Sequence, residues 1–369
     1  MLHTLRNARP LHRFVSRPLH RTVSRPLHRT VRNVIRSSST SSSTFSWTFK
    51  SLHALNTIDD AQTASLILQD ISNLLQKNLD LLSVNDMTSS SELISVLKLY
   101  SSTLSKTSQI ISSPNLLSRF NPLDASTIHK TVKEIQTRHT SSGSTIEWLF
   151  HHSCLELSQG RTTNFNKIIS NHYSLITLCD HYTGTTGKFK LGAVRKVSSS
   201  DVIELIEDVK DELHFLAQSA FPDKVIDIRI PEIECKVDDF YVLPSMFRYV
   251  LMELVKNAVS KSSEVQIELD ETEDGYLKVL VIDKGSGIPV DKLDTLFNFG
   301  HLHERYDRLD GQQSYAQPPS DPLEGIGIGL SLSSIIAEKY GGNLKVYNNE
   351  SGGATAVFTV STDGDVVVV

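Results

Sequence analysis

Cysteine is scarce in this chain of 369 residues: Cys154, Cys179 and Cys235 stand alone and far apart. An odd, sparse set offers no disulfide framework and no CxxC metal site, and suits a reducing compartment. No apolar run reaches the roughly 18 residues that a transmembrane helix needs. No GxxxxGKS or GxxxxGKT phosphate loop occurs, which removes the P-loop nucleotide folds. Acidic residues are missing from the whole N-terminal stretch, and the first is Asp59.

That last absence divides the chain. Residues 1–57 hold nine arginines and one lysine, so +10 there faces −15 over the remainder, within a net charge of −5. A basic, Ser-rich, acid-free N-terminus has the composition of a mitochondrial transit peptide. The competing reading is a nucleic-acid-binding arm, but nothing downstream is basic enough to extend such a surface, so no nucleic-acid partner is expected. A period-eight repeat runs through the segment: RPLHRFVS (9–16), RPLHRTVS (17–24) and RPLHRTVR (25–32). Pro10, Pro18 and Pro26 interrupt any continuous helix, and three short units cannot bury a core. The Ser tract at 37–43 marks the end of the leader, which is assigned to residues 1–50.

From 51 to 185 apolar residues recur at helical spacing, around 61–75, 92–104, 127–136, 145–157 and 166–180. About four helices joined by short links imply an antiparallel bundle. HYTGTTGKFKLG (181–192) reads as a hinge, after which the pattern changes. A helix at 199–219, a strand at 225–233 and a helix at 244–262 precede two strands, VQIEL (265–269) and LKVLVID (277–283), joined as a hairpin. A second pair, LKVY (344–347) and TAVFTV (355–360), closes the chain. Helices on one face of a largely antiparallel sheet give an α+β fold. A dinucleotide fold would instead need parallel strands alternating with helices.

Three motifs carry chemistry. In PSMFRYVLMELVKNAVSKS, Glu253 and Asn257 are four apart and share a helical side. That pair suits a hydrated Mg²⁺ and a positioned proton acceptor, although such pairs are usually a solvated face. In DKGSGIP, Asp283 ends a strand just before Gly285 and Gly287, where a carboxylate can accept from an exocyclic amine; a plain tight turn is the other reading. In GIGIGLSLSSIIAEKYGG, Gly325, Gly327 and Gly329 lead into a helix that Gly341-Gly342 closes.

In this order, with a last Gly-rich strand turn, these elements resemble the GHKL ATPase superfamily of Hsp90, DNA gyrase, MutL and the histidine kinases. The motifs look like its N, G1, G2 and final boxes. ELVKNA, PLEGIGIGL, KFKLGAVRKVSSSDVIELIEDVKDELHFLAQ and the Arg138-His139 pair further resemble the mitochondrial pyruvate dehydrogenase kinases and branched-chain 2-oxoacid dehydrogenase kinases. The resemblance covers about residues 55–360 and is strong after 190.

The resemblance implies an N-terminal antiparallel helical bundle (51–185) followed by a GHKL (Bergerat) α/β-sandwich (186–369). It implies a serine kinase of the mitochondrial matrix that uses ATP and Mg²⁺ on the E1α subunit of pyruvate dehydrogenase. Partners would include the E2 lipoyl domain and a second kinase subunit, identical or related. Glu253 would be the base on the substrate hydroxyl, with His139 tuning it. Asn257 would hold Mg²⁺ and Asp283 would read adenine. Gly285, Gly287, Gly325, Gly327, Gly329 and Leu330 would line the nucleotide, under a lid at 300–323. The final box departs from the pattern: Ala354 stands where these kinases usually show Thr, and Thr355, one place on, is the expected stand-in. The tail after TAVFTV is short and has no Trp motif, which puts tail-dependent docking in doubt.

Overall fold

The computed structural model describes residues 46–55, 61–83, 91–111, 122–140, 162–185, 194–220, 225–230, 239–272, 274–298 and 329–367. The repeat at 9–32, the helical run at 145–157 and the lid at 300–323 lie outside them.

A short helix, α1 (Phe49–Leu55), comes first. Four long helices follow: α2 (Ala61–Ser83), α3 (Ser91–Ile111), α4 (Pro122–Thr140) and α5 (Thr162–Thr185). Helix α2 packs on α3, α4 and α5, and α4 packs on α3 and α5. Ile67, Leu68, Ile71, Leu74 and Leu75 form the buried stripe of α2, the apolar face that its 3.6-residue period predicts. Polar groups are buried beside it. Asn78 donates to the Tyr100 hydroxyl and to the Ile168 carbonyl, and Tyr100 bonds His172 Nδ1 at 3.0 Å. Helix α5 runs on to Thr185, so the first part of the expected hinge is helical.

Next come β1 (Arg195–Val197), α6 (Ser199–Ala220), β2 (Asp227–Arg229), β3 (Phe240–Val242) and α7 (Pro244–Lys261). Strands β4 (Glu264–Thr272) and β5 (Tyr276–Asp283) precede α8 (Val290–Leu293) and α9 (Gly329–Lys339). Strands β6 (Asn343–Asn348) and β7 (Ala354–Ser361) finish the order. Five strands make one sheet in the order β2-β4-β5-β7-β6, antiparallel except for the parallel pair β2–β4. Burial along β5 alternates strictly, as expected for a sheet with one covered face. Leu277, Val279 and Val281 point under α7, which crosses β4, β5 and β7, while α9 lies on β6 and β7. This is an α+β arrangement with helices on one face. The two-strand ribbon β1–β3 was not legible in the sequence.

Two local devices set the helices that frame the site. Helix α7 starts with Pro244 after Leu243, which is extended and has no side-chain cap. The Tyr340 hydroxyl fastens this residue: it accepts from the Leu243 N–H at 3.0 Å and donates at 2.7 Å to its carbonyl, which also accepts from the Met246 and Phe247 N–H groups. Helix α9 ends as expected at Gly341, whose φ is +68°. Gly341 N–H bonds Glu338 and Gly342 N–H reaches back to Ala337.

Residues 46–55 form a clasp over these ends. Trp47, Phe49 and Leu52 are buried, and Phe49 stacks on Tyr340 with ring centres 5.0 Å apart. Trp47 Nε1 donates to Asp70 Oδ2 of α2 at 2.7 Å, and Thr48 bridges to Val367. Trp47 and Phe49, which the sequence reading placed in the leader, are therefore core residues.

Candidate nucleotide site

The centre of the site is the middle of α7. Its buried side carries Phe247, Val250, Leu251, Leu254, Val255 and Ala258, which turns Glu253 toward the start of α9. Glu253 Oε1 receives the Lys256 ammonium at 2.6 Å, and the two side chains are only 17% and 14% exposed. The other oxygen, Oε2, lies so close to Gly329 that a Cβ there would collide with it. The structure thus joins the first and third sequence motifs through one carboxylate. Asn257, one turn along α7, is exposed.

Asp283 ends β5, buried, on the helix-covered face. Its Oδ1 accepts from the Gly285 N–H at 2.8 Å. A Cβ on Gly285 would press on that same oxygen and on the Lys261 carbonyl, each at 2.9 Å. Gly287 has φ +72°, which only glycine adopts freely. Asn348 fixes the loop beyond it: Oδ1 accepts from the Ile288 N–H and Nδ2 donates to the Ile288 carbonyl, both at 2.7 Å. Gly353, with φ +82°, lies against the Asp283 carbonyl, where any side chain would clash.

Thr355 is not brought to this group. Ile282 pairs with Thr355, so both project from the open face of the sheet, and Ala354 is the residue that shares the face of Asp283. The Thr355 hydroxyl donates instead to Asn349 Oδ1 at 2.7 Å. Thr355, itself buried, thus lies on the sheet face opposite Asp283.

His139, the penultimate residue of α4, is fully buried. Its ring meets Tyr100 edge-on at 5.0 Å and His172 at 5.6 Å. Burial lowers His172 to about 4, so it is neutral near pH 7. The next residue, Tyr173, has its hydroxyl pushed upward by burial and then by the charge of Glu253. Burial, then Tyr173 and Glu253, act the same way on Tyr249. His139 therefore packs against His172, the residue before Tyr173.

Gly325 and Gly327 lie outside the described residues, whereas Gly329 and Leu330 open α9 and are half-buried. Just beyond them, Ser331 Oγ is buried with no hydrogen-bond partner among the described residues. The start of a helix opened by a glycine fits a phosphate chain. For Mg²⁺ the chain offers the Asn257 amide oxygen, and no cluster of three His, Cys, Asp or Glu exists among the described residues. That sparse set fits Mg²⁺, which keeps waters and takes phosphate oxygens. Sequence reasoning missed Tyr249, Tyr173 and Asn348. It set Lys256 at the surface or behind the site, although its i+3 spacing from Glu253 was a visible signal. The others are placed by tertiary contacts.

Residues 243–364 match the family model described as histidine kinase-, DNA gyrase B- and HSP90-like ATPase. The match covers about a third of the chain and spans strands β4–β7 of the one-sided sheet together with Glu253, Asp283 and Gly329. The chain's relatives include kinases. Pyruvate dehydrogenase (acetyl-transferring) kinase isozyme 1, mitochondrial, of Rattus norvegicus is 27% identical over 175 residues, 43% of this chain and 38% of that protein. Isozyme 3 of Homo sapiens is 25% identical over 174 residues, 42% and 40% of the two chains. The adaptive-response sensory kinase SasA of Prochlorococcus marinus (strain MIT 9215) is 30% identical over 141 residues, 36% and 34% of the two chains. The chain thus matches about two fifths of the length of these curated relatives or less. No described helix is long and apolar enough to cross a membrane.

Proposed function

We propose that the protein is a serine kinase of the mitochondrial matrix that inactivates the pyruvate dehydrogenase complex by phosphorylating its E1α subunit. The observation that carries this reading is the Glu253 carboxylate, set against the first residue of the glycine-led helix α9. Asp283 accepts from the adenine amine, and the Gly329–Ser331 turn receives the phosphates. Asn257 holds Mg²⁺, whose charge offsets that of the transferring group. Glu253 takes the proton of the substrate hydroxyl as that oxygen bonds the terminal phosphorus. The bridging P–O bond breaks, and ADP leaves with the electron pair. His139, buried with His172, acts on Glu253 only through the packing around Tyr173.

In this reading residues 1–50 contain the import leader, 51–185 form an antiparallel bundle, and 186–369 form the kinase domain. A second kinase subunit and a lipoyl domain are the proposed partners. The purified chain should transfer phosphate from Mg-ATP to E1α. Glu253→Gln should lower the rate by about 10²- to 10⁴-fold, the share of a general base. No transfer to pyruvate dehydrogenase or branched-chain E1α, with a control kinase active, would reject the proposal.

The SasA likeness supports a second reading, a histidine kinase. Acid-labile phosphate on the chain itself would establish it. The burial of His139 argues against that residue as the acceptor.

A further inference from the structure

The ion pair on Glu253 conflicts with its proposed work. A proton acceptor needs a free oxygen facing the substrate hydroxyl. Here Lys256 holds Oε1 at 2.6 Å, and Oε2 is against Gly329. Exposed i,i+3 pairs are loose and contribute little, but this one is largely withdrawn from water, and its carboxylate fills the space in front of α9. That space is where the backbone at the start of α9 would meet an anion. In this state the protein's own carboxylate occupies it.

Resting on the kinase reading of the site, we propose that Lys256 is a ligand for the terminal phosphate of ATP and that the Glu253 carboxylate holds its place until ATP arrives. The phosphate brings more negative charge than one carboxylate, so the ammonium changes partner. Glu253 then turns away from Gly329 with both oxygens free. Base activation is tied to the presence of a third phosphate, and ADP, lacking it, leaves Glu253 paired. The exchange moves no proton and breaks no covalent bond.

The test is calorimetric binding of Mg²⁺ with the imido analogue AMP-PNP, and of Mg-ADP, to the full chain and three variants. Glu253→Gln removes the placeholder and leaves a shielded, uncompensated lysine. It should bind AMP-PNP about tenfold more tightly, with a smaller change for ADP, the size expected for one charge-assisted contact. Lys256→Met should weaken AMP-PNP by about tenfold or more and leave ADP nearly unchanged. In the double variant, the gain from Glu253→Gln should vanish. A merely structural ion pair would shift both nucleotides equally in each variant, and that result overturns the proposal, as does strict additivity in the double variant. If Lys256→Met shows no cooperative melt, Lys256→Arg replaces it. It should keep the preference for AMP-PNP over ADP, and loss of that preference alongside unaltered Glu253→Gln binding counts against the proposal. Failure of the unaltered chain to bind either nucleotide would instead refute the underlying kinase reading.

Discussion

Gly329 is the residue at which the site is tightest. Alanine there would drive its Cβ into the Glu253 carboxylate, the far end of a flexible side chain that can swing aside. Gly329→Ala should therefore fold normally, with a melting temperature equal to or above that of the parent. Phosphoryl transfer should stay close to the parent's rate, because the working Glu253 has already turned away from Gly329. A fall of about a hundredfold, the cost of a base displaced by an ångström, would show that Glu253 works from beside Gly329 instead. Thr355→Val tests strand parity. Its hydroxyl bonds Asn349 on the open face, so nucleotide affinity should not change, while urea denaturation should show a loss of about 1 kcal/mol. Glu253, Asn257 and Asp283 were legible because helical and strand periods place them locally. The face that Thr355 takes was not legible, because parity is set by pairing with Ile282, more than seventy residues away in the chain.

Among the elements, α7 depends on a partner distant in sequence. Its first turn has no side-chain cap, and both polar groups of Leu243 are bonded by the Tyr340 hydroxyl. Tyr340→Phe leaves the buried Leu243 N–H unsatisfied, at a cost of about 1–3 kcal/mol at most, while the Leu243 carbonyl keeps the Met246 and Phe247 N–H groups. Denaturant unfolding should report that loss, and nucleotide affinity should fall with it, because α7 carries Glu253 and Asn257. Tyr340→Phe with unchanged stability would show that the start of α7 finds other partners. The Asn348 clamp on Ile288 works in the same way for the loop after Asp283. Asn348→Ala should raise the dissociation constant of ADP, the ligand that relies most on that loop. The α9 stop was readable from Gly341-Gly342 alone, but the Tyr340 and Asn348 contacts were not, since neither residue type demands a particular partner.

Over the whole molecule, two buried histidines set the response to acid. Burial, with His53 nearby, lowers His181 to about 3, and burial lowers His172 to about 4. Near pH 6.5, the ordinary histidine value, both take up protons in the unfolded chain but not in the folded one. Their stabilising contribution is thus full above pH 6.5 and is lost as pH falls toward 4. Within that window each contributes a slope of about 1.4 kcal/mol per pH unit. Melting temperature should be level near pH 7–8 and fall steeply below 6, and His172→Gln should flatten the fall. A melting temperature independent of pH between 6 and 4.5 would contradict the burial of these rings. The sheet and its covering helices were legible because alternation and helical period are local. The clasp and the β1–β3 ribbon were not, since three- to seven-residue elements gain their stability only from what they touch.

The clasp also equips the molecule with its own optical probe. Trp47 is one of two tryptophans in the sequence, and its indole is buried with its N–H on the Asp70 carboxylate. Release of residues 46–55 would bring that indole into water and shift its emission to the red. Because Phe49 of the same segment stacks on Tyr340, emission at that wavelength would follow, without any label, whether the ends of α7 and α9 are still fastened together.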